Sequence, residues 1–126
     1  TYIHPGARVG VAVAFVGVGS EDIEAIGKDV AMQIAAMKPV AVDQAEVPAE
    51  IVAKELEFGR ERALAEGKPE AIVDKIAQGV LQKYFKENTL LAQEFVKDTS
   101  KTVAQYLKEA NPNLKVKAFA RVQLGA

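Results

Sequence analysis

The sequence contains no cysteine, no tryptophan and a single histidine, His4, among its 126 residues. Without cysteine the chain has no disulfide, no thiolate metal site and no cysteine nucleophile, and this composition agrees with a cytoplasmic protein. His4 is the only residue whose unperturbed side chain titrates near neutral pH. Because Pro5 and Gly6 follow it directly, its ordinary interpretation is a turn or surface residue. We expect neither a metal nor a cofactor.

Charge of one sign and long apolar runs are also scarce. Sixteen basic residues oppose seventeen acidic ones, so the formal net charge is −1. With no basic cluster either, we expect no direct contact with nucleic acid. The longest apolar run, Val9 to Val18, is far shorter than the ~20 residues of a membrane-spanning helix, so we expect no membrane segment. The length suits one domain over residues 1–126, and the start at Thr1 rather than methionine indicates a piece of a longer protein.

The remaining polar residues form no recognisable catalytic motif. Gly17 and Gly19 suggest a phosphate-binding loop, but the lysine and the full glycine spacing of such loops are missing, and two acidic residues follow Ser20. Ser20 lacks the sequence context of a nucleophilic serine. No pair of carboxylates lies within apolar sequence, where their pKa would be raised. The sequence therefore favours a binding or interaction module over an enzyme.

The stretch from Val47 to Asn88 predicts two helices folded back on each other. Gly67 suits the left-handed residue that ends a helix, and Pro69 suits the start of the next one. Apolar residues recur at spacings of three and four in both halves, which predicts a seam between two antiparallel helices. The predicted seam residues are Val52, Leu56, Gly59 and Ala63 in the first helix and Val73, Ile76, Val80 and Tyr84 in the second.

The outer surface of this hairpin carries charges of both signs, from Lys54 to Lys83. Such a surface is typical of a solvated helix. A helix pair of this length spans roughly 25 Å, so it would project if the remaining chain packed at its base, as a partner-binding arm does. Both interpretations stay open at this point.

Two strands are predicted near the ends of the chain. Arg8 to Val18 alternates valine and phenylalanine with glycine and alanine, and Lys115 to Leu124 alternates small or branched apolar residues with mostly polar ones. Placed side by side and antiparallel, they close the fold. The glycine and alanine face of the first strand is predicted to take the helices, because small side chains permit close packing. We expect an α+β fold, with a small antiparallel sheet covered by helices on one face and a protruding helical hairpin.

A further helix is predicted between the first strand and the hairpin. Ser20 is the expected N-cap, acidic residues occupy the first turn, and Pro39 ends the helix. Its apolar stripe indicates a side that faces the core rather than a cofactor site. The stripe consists of Ile23, Ile26, Val30, Ile34 and Met37.

The chain between the hairpin and the last strand is predicted to form a buried strap and a short helix. Thr89 to Thr99 has no clean period, and its apolar residues Leu90, Leu91, Phe95 and Val96 indicate burial. Thr99 or Ser100 is the expected N-cap of the helix, and Asn111-Pro112 ends it.

Several segments of the chain resemble the second half of translation elongation factor Ts, in order and with similar spacing. The first two are YIHPGARVGV from Tyr2 and DVAMQIAAMKP from Asp29. The others are EVPAEIVAKE, AEGKPEAIVDKIAQG, KYFKENTLLAQEFVKD and SKTVAQYLKE. The resemblance covers essentially the whole chain, and the pieces are specific when they occur together.

This resemblance implies part of a guanine-nucleotide exchange factor, which binds elongation factor Tu and promotes release of GDP without covalent catalysis. The matching region in the family is the C-terminal half of the core, or dimerisation domain, and the hairpin matches the family's coiled-coil arm. That half leans on the third domain of the partner. The histidine of the Tyr-x-His motif reaches the partner's nucleotide-binding domain, so His4 is the candidate contact residue.

The chain departs from the family pattern in three places. Pro5 separates His4 from Gly6, where some relatives have histidine followed directly by glycine. The family's Thr-Asp-Phe element, which displaces the partner's magnesium and nucleotide contacts, is absent, as is the amino-terminal helical domain. We therefore expect partner binding without full exchange activity. The alternatives are a self-association module that pairs through exposed edge strands, and a small enzyme or ligand binder with a polar pocket around His4.

Overall fold

A computed structural model describes residues 1–4 and 9–123 of the chain, apart from the side chain of His4. The strands are β1 (Tyr2–His4), β2 (Val9–Val16), β3 (Glu94–Phe95), β4 (Asp98–Thr102) and β5 (Lys115–Gln123). The helices are α1 (Ile23–Met37), α2 (Ala49–Ala65), α3 (Glu70–Asn88) and α4 (Val103–Ala110), with a 3-10 turn at Gln44–Glu46. This is the predicted α+β fold.

Strands β1, β2 and β5 form an antiparallel sheet in that order. In β2, Val11 pairs with Tyr2 on one side and with Arg121 on the other. The predicted antiparallel pairing of the first and last long strands is therefore confirmed. The predicted ends at Arg8 and Leu124 lie outside the described residues.

The helices cover the valine face of β2, not the glycine and alanine face, so that prediction was wrong. Val9 and Val11 are 4% and 2% exposed and belong to the main core with α1. Ala12 and Ala14 are exposed on the opposite side. Burying a valine side chain removes more apolar surface from water than burying alanine or glycine, and this gain decides which face is covered.

A β-bulge changes which residues of β5 point towards the helices and which point to the uncovered face of the sheet. Phe15 pairs with Val116, whereas the residue before it in β2 pairs with Ala118, so Lys117 is an extra residue. Val116 consequently lies in the core at 8% exposure, while Val122 is 56% exposed on the other face. The uniform alternation expected along this strand was therefore wrong.

Helix α1 begins two residues later than predicted. The N-cap is Asp22 rather than Ser20, since the Asp22 carboxylate accepts a hydrogen bond from the N–H of Ala25 at 3.2 Å. Lys38 ends the helix in the left-handed conformation, with φ of 51°. The middle of the predicted stripe is buried, but Met37 is 45% exposed.

The strap after the hairpin is partly buried, and it folds into a hairpin that the sequence did not predict. Leu90 and Phe95 are buried as expected, whereas Val96 is 38% exposed at the turn between β3 and β4. Thr99 and Ser100 lie within β4, so neither caps α4.

The N-cap of α4 is Thr102, which forms a capping box with Gln105. The helix buries Val103 and Leu107 and ends at the predicted Asn111. The box holds the start of α4 by two reciprocal hydrogen bonds, which explains why the helix starts here and not at the earlier candidates.

Helices α2 and α3 form the predicted helical hairpin, called the arm below. Gly67 has a φ of 75° at the turn, as expected. Gly59 lies against Ala77, and Arg60 forms an ion pair with Asp74, so the contacts advance along α2 as they go back along α3, and the helices run antiparallel. The buried residues of α3 are Val73, Ala77, Leu81 and Phe85, whereas the predicted Ile76, Val80 and Tyr84 are only half-buried. This α3 register follows a strict spacing of four.

Two separate hydrophobic cores are formed by the described residues. The main core lies between the sheet, α1, the strap and α4. The arm has its own small core at its base, built from Ala41, Val47, Leu81 and Phe85. A parallel bridge between Ala41 and Thr89 connects the arm to the rest of the chain.

Candidate partner-binding surfaces

The backbone of His4 lies in β1, where it pairs with Val9. Its side chain and residues 5–8 lie outside the described part of the chain. The role of His4 in partner contact therefore stays a prediction.

The described residues offer no cluster of metal ligands. No group of three or more histidine, aspartate or glutamate side chains within residues 1–4 and 9–123 is arranged to hold a metal ion. Within the same residues, no helix is both long and apolar enough to cross a membrane.

The glycine loop after β2 already contains an internal anion. The carboxylate of Glu21 accepts a hydrogen bond from the N–H of Gly19 at 2.8 Å. The side-chain amide of Asn111 donates to both oxygens of Glu21 and to the carbonyl of Gly17. The hydrogen bond from Asn111 is the main reason that the pKa of Glu21 is lowered. Because Glu21 occupies the donor that a phosphate would need, the loop is a structural corner.

A polar cluster holds the β3–β4 hairpin against α1 and α4. The carboxylate of Asp29 accepts hydrogen bonds from Lys97 Nζ and Tyr106 Oη, both at 2.7 Å. The ring of Tyr106 stacks on Phe95 with centroids 4.3 Å apart. Burial, followed by the hydrogen bond to Asp29, raises the pKa of Tyr106. A tyrosine hydroxyl with a raised pKa stays protonated near neutral pH and is a poor acid or base there, so this cluster is structural.

Two fully buried glutamines lie where α1, α3 and the β3–β4 hairpin meet. Gln33 is 0% exposed and Gln93 is 1% exposed. The Oε1 atom of Gln33 accepts a hydrogen bond from the N–H of Val96 at 2.9 Å, which holds the hairpin turn from below. The exposed Val96 side chain is therefore presented on a fixed backbone.

The uncovered face of the sheet is apolar. Its exposed members include Ile3 at 78%, Val122 at 56% and Val16 at 44%. The face also includes the small residues Gly10, Ala12, Ala14, Ala118 and Ala120. Its one charge among these described residues, Lys115, lies at the end of the face opposite Val16, so the apolar residues form a continuous patch, which is typical of an interaction site.

The surface of the arm combines exposed ion pairs with exposed apolar residues. Arg60 pairs with Asp74 at 2.9 Å. The pair is solvent-exposed, so it adds little stability. Phe58 and Leu64 are 55% and 56% exposed, and Ile72 is 40% exposed. The arm therefore offers apolar contact points that the charge pattern alone did not indicate.

Sequence reasoning missed the buried glutamines. A signal was present for Gln33, since it lies next to Ile34 and three residues after Val30, on the apolar side of α1. No comparable pattern identified Gln93, whose side chain bonds to Gln33 and to the carbonyl of Met37 in a distant part of the chain.

Comparison with known proteins gives a consistent result over the whole chain. A family model for elongation factor Ts matches residues 1–126. The elongation factor Ts of Amoebophilus asiaticus is 53% identical over 125 residues, which are 99% of this chain and 45% of that protein. The elongation factor Ts of Cytophaga hutchinsonii is 51% identical over 123 residues, covering 98% of this chain and 44% of that protein. The chain therefore spans less than half the length of these curated relatives.

Proposed function

Because the chain belongs to the elongation factor Ts family, we propose that it is part of a guanine-nucleotide exchange factor. Such a factor binds elongation factor Tu and promotes GDP release during translation elongation. The observation that carries the proposal is the family match over all 126 residues. An exchange factor acts by protein binding, so the proposal requires no catalytic residue, metal or cofactor. We expect the protein to act in the cytoplasm, where translation takes place.

We further propose that residues 1–126 are a single domain, the C-terminal half of the family's core, which binds the partner without displacing its nucleotide. Exchange requires tighter binding to the nucleotide-free partner than to the GDP-bound partner, and only this difference expels GDP. The Thr-Asp-Phe element that supplies the displacement in the family is absent from the sequence. The chain would then add affinity while adding little to the difference between the two states.

The proposed contact regions are His4 and the arm. His4 is proposed by its position in the Tyr-x-His motif. The exposed Phe58 and Ile72 support a contact role for the arm, because large apolar side chains are frequent anchors at interfaces.

The test is GDP release from elongation factor Tu preloaded with fluorescent GDP, with the chain titrated in and direct binding followed in parallel. The partner and a full-length elongation factor Ts from the same organism serve as reference. We expect binding with little acceleration of release. Acceleration close to that of the full-length factor would contradict the division of roles, and absence of binding would contradict the proposed function.

A matched pair of variants tests His4. His4→Ala is expected to weaken binding by about tenfold, equivalent to about 1.4 kcal/mol. Lys115→Ala is the control, because Lys115 is exposed at the opposite end of the sheet, where it pairs with Val16. If both variants bound with equal affinity, the proposed contact between His4 and the partner would be excluded.

A second candidate function is self-association as a homodimer. The apolar face of the sheet supports it, because the small side chains of Ala12 and Ala120 pair at its centre, where a second sheet can pack closely. Pairing through the free edge of β5 is less favoured, since Lys115 and Lys117 are exposed there, and lysines on an edge oppose strand pairing.

Sedimentation over a concentration series tests self-association. If the sheet face is the interface, Ala120→Glu will shift the chain to the monomer, because the carboxylate would be buried unpaired. Ala53→Glu, at an exposed alanine of the arm, is the control and should leave the dimer unchanged. A monomer at all concentrations in the parent chain would exclude this function for the isolated chain. The ligand-binding alternative depends on the surroundings of the His4 side chain and stays a prediction.

A further inference from the structure

The arm meets the rest of the chain at a narrow junction. Three backbone hydrogen bonds connect the residues before α2 with the end of α3 and the residues after it: Val40 N–H to Asn88 O, Leu90 N–H to Ala41 O and Leu91 N–H to Val42 O. These bonds lie side by side along two short segments. A short ladder of this kind fixes where the arm is attached more firmly than it fixes the angle of the arm about the ladder.

The side chain of Gln93 connects the arm to α1 beside this ladder. Its Nε2 atom donates to the carbonyl of Glu87 in the last turn of α3 at 2.9 Å. The same atom donates to the carbonyl of Met37, the last residue of α1, at 3.4 Å. One side-chain amide thus links the ends of two helices that belong to different cores.

Gln33 fixes the orientation of the Gln93 amide. Gln33 Nε2 donates to Gln93 Oε1 at 3.2 Å and to the carbonyl of Glu94 at 3.0 Å, while its own Oε1 accepts from Val96. All four N–H groups of the two side-chain amides are therefore used. Turning either amide over would place like atoms against each other, so only one arrangement satisfies the network.

Apolar packing is incomplete on this side of the junction. A groove of about 370 Å³ opens there, and its lining includes Met37, Lys83, Glu87 and Gln93. The arm core lies at the other contact, around Ala41. Apolar contacts tolerate small rotations, whereas buried hydrogen bonds have a preferred direction and are costly to leave unmade.

From this geometry we infer that Gln93 fixes the direction of the arm relative to the sheet, with Gln33 holding it in place. Gln93 is a positioning residue: it is buried and acts on a partner only through the arm. Its effect on elongation factor Tu rests on the proposed function, but the direction of the arm can be measured on the chain alone.

The test is a distance measurement by pulsed electron paramagnetic resonance. The chain has no cysteine, so Lys68→Cys at the tip of the arm and Lys117→Cys on the sheet can be spin-labelled specifically. At about 1.5 Å per residue the arm is roughly 25 Å long, so a tilt of about 10° moves its tip by about 4 Å. Such a shift, or a broadening of similar size, is resolvable.

Gln93→Met removes both donors at nearly constant length and is expected to shift or broaden the distance distribution. Gln82→Met is the matched control, because it makes the same chemical change at an exposed glutamine of α3, away from the junction. Circular dichroism verifies that each variant keeps its helices. An unchanged distribution in a folded Gln93→Met variant would overturn the inference.

Gln93→Glu makes the distance distribution depend on pH, which a loss of packing alone would not do. An ionised carboxylate at this position faces the carbonyls of Glu87 and Met37, whereas the protonated acid regains one O–H donor. The distribution of this variant should therefore narrow as the pH falls through the pKa of the new carboxyl group. Lys83, Lys86, Glu87 and Glu94 also line the groove, and the parent chain, measured over the same pH range, reports their effect. A variant without pH dependence beyond that of the parent would contradict directional control by the amide.

Binding of elongation factor Tu to the same variants separates the two proposals. If Gln93→Met moves the arm and weakens binding while Gln82→Met does neither, the arm direction matters for the partner. If the arm moves and the affinity stays constant, the role of Gln93 stands and the contact role of the arm is excluded.

Discussion

The two arm helices approach each other closely at Gly59, and this contact predicts opposite effects for two similar substitutions. A Cβ atom added at Gly59 would lie 2.9 Å from the Cα atom of Ala77 and 3.3 Å from the Cβ atom of Val80. Because a Cα atom belongs to the backbone, it cannot yield without a shift of α3. At Gly79, an exposed helical position in α3, an added Cβ atom meets nothing within 4 Å.

The magnitudes follow from two opposing effects. Replacing glycine by alanine within a helix gains about 1 kcal/mol of helix propensity at either position. Forcing an additional carbon into a packed contact costs about 1–3 kcal/mol. Gly79→Ala should therefore raise the free energy of unfolding by about 1 kcal/mol, whereas Gly59→Ala should lower it by up to about 2 kcal/mol. The difference between the two variants cancels the propensity gain and isolates the cost of the close contact.

Urea unfolding followed by far-ultraviolet circular dichroism measures both variants against the parent chain. The reasoning requires Gly79→Ala to unfold at a higher urea concentration than Gly59→Ala, by an amount that corresponds to about 1–3 kcal/mol. If Gly59→Ala gained as much stability as Gly79→Ala, the helices would not approach each other as closely as described. A larger residue in Gly59→Leu should lower stability further, which tests whether the effect grows with side-chain volume.

Three further predictions concern the packing around α4. Tyr106→Phe removes the hydrogen bond to Asp29, and we expect thermal unfolding to show a free energy of unfolding lower by about 1–2 kcal/mol. Because the pKa of Tyr106 is raised in the folded chain, the unfolded chain ionises first as the pH rises above about 10. The parent chain should therefore lose stability above that pH, and Tyr106→Phe should lack this part of the loss. Thr102→Ala removes the N-cap of α4 and should lower the free energy of urea unfolding by about 1 kcal/mol. The control Thr99→Ala, at an exposed threonine of β4, should have little effect. Asn111→Ala should raise the pKa of Glu21 in a carboxyl titration followed by nuclear magnetic resonance, and an unchanged pKa would contradict the hydrogen bond as its cause.

The parts of the fold that depend on local chemistry were predictable from the sequence. The arm followed from the left-handed turn residue Gly67 and from apolar spacing, since both act within a few residues. The two long strands followed from alternation. The N-cap of α4 was also within reach, because Thr102 followed three residues later by Gln105 is the signature of a capping box. Thr99 and Ser100 competed with it only as single capping residues.

The parts that depend on distant contacts could not be predicted in this way. The bulge at Lys117 changes which residues of β5 face the helices, and it exists only in the pairing with β2. The partner of Gln33 lies 60 positions away in sequence, so no local pattern identifies the pair. The prediction of which sheet face the helices cover was wrong, because it followed the close packing that small residues permit, whereas the burial of Val9 and Val11 decides the covered face.

The two cores bear on how the chain would contribute to the proposed exchange function. Stability of the arm depends on its own seam around Gly59 and Ala77, whereas its direction depends on Gln93 at the junction. A substitution can therefore change the direction without unfolding the arm or the sheet. An arm that contacts elongation factor Tu equally well in the GDP-bound and nucleotide-free states raises affinity but leaves GDP release unchanged, because only differential binding shifts that equilibrium. The affinity of Gln93→Met should therefore be measured separately for the GDP-bound and the nucleotide-free partner. Equal losses of affinity would indicate that the arm is an anchor, whereas a larger loss for the nucleotide-free partner would indicate that the arm contributes to exchange.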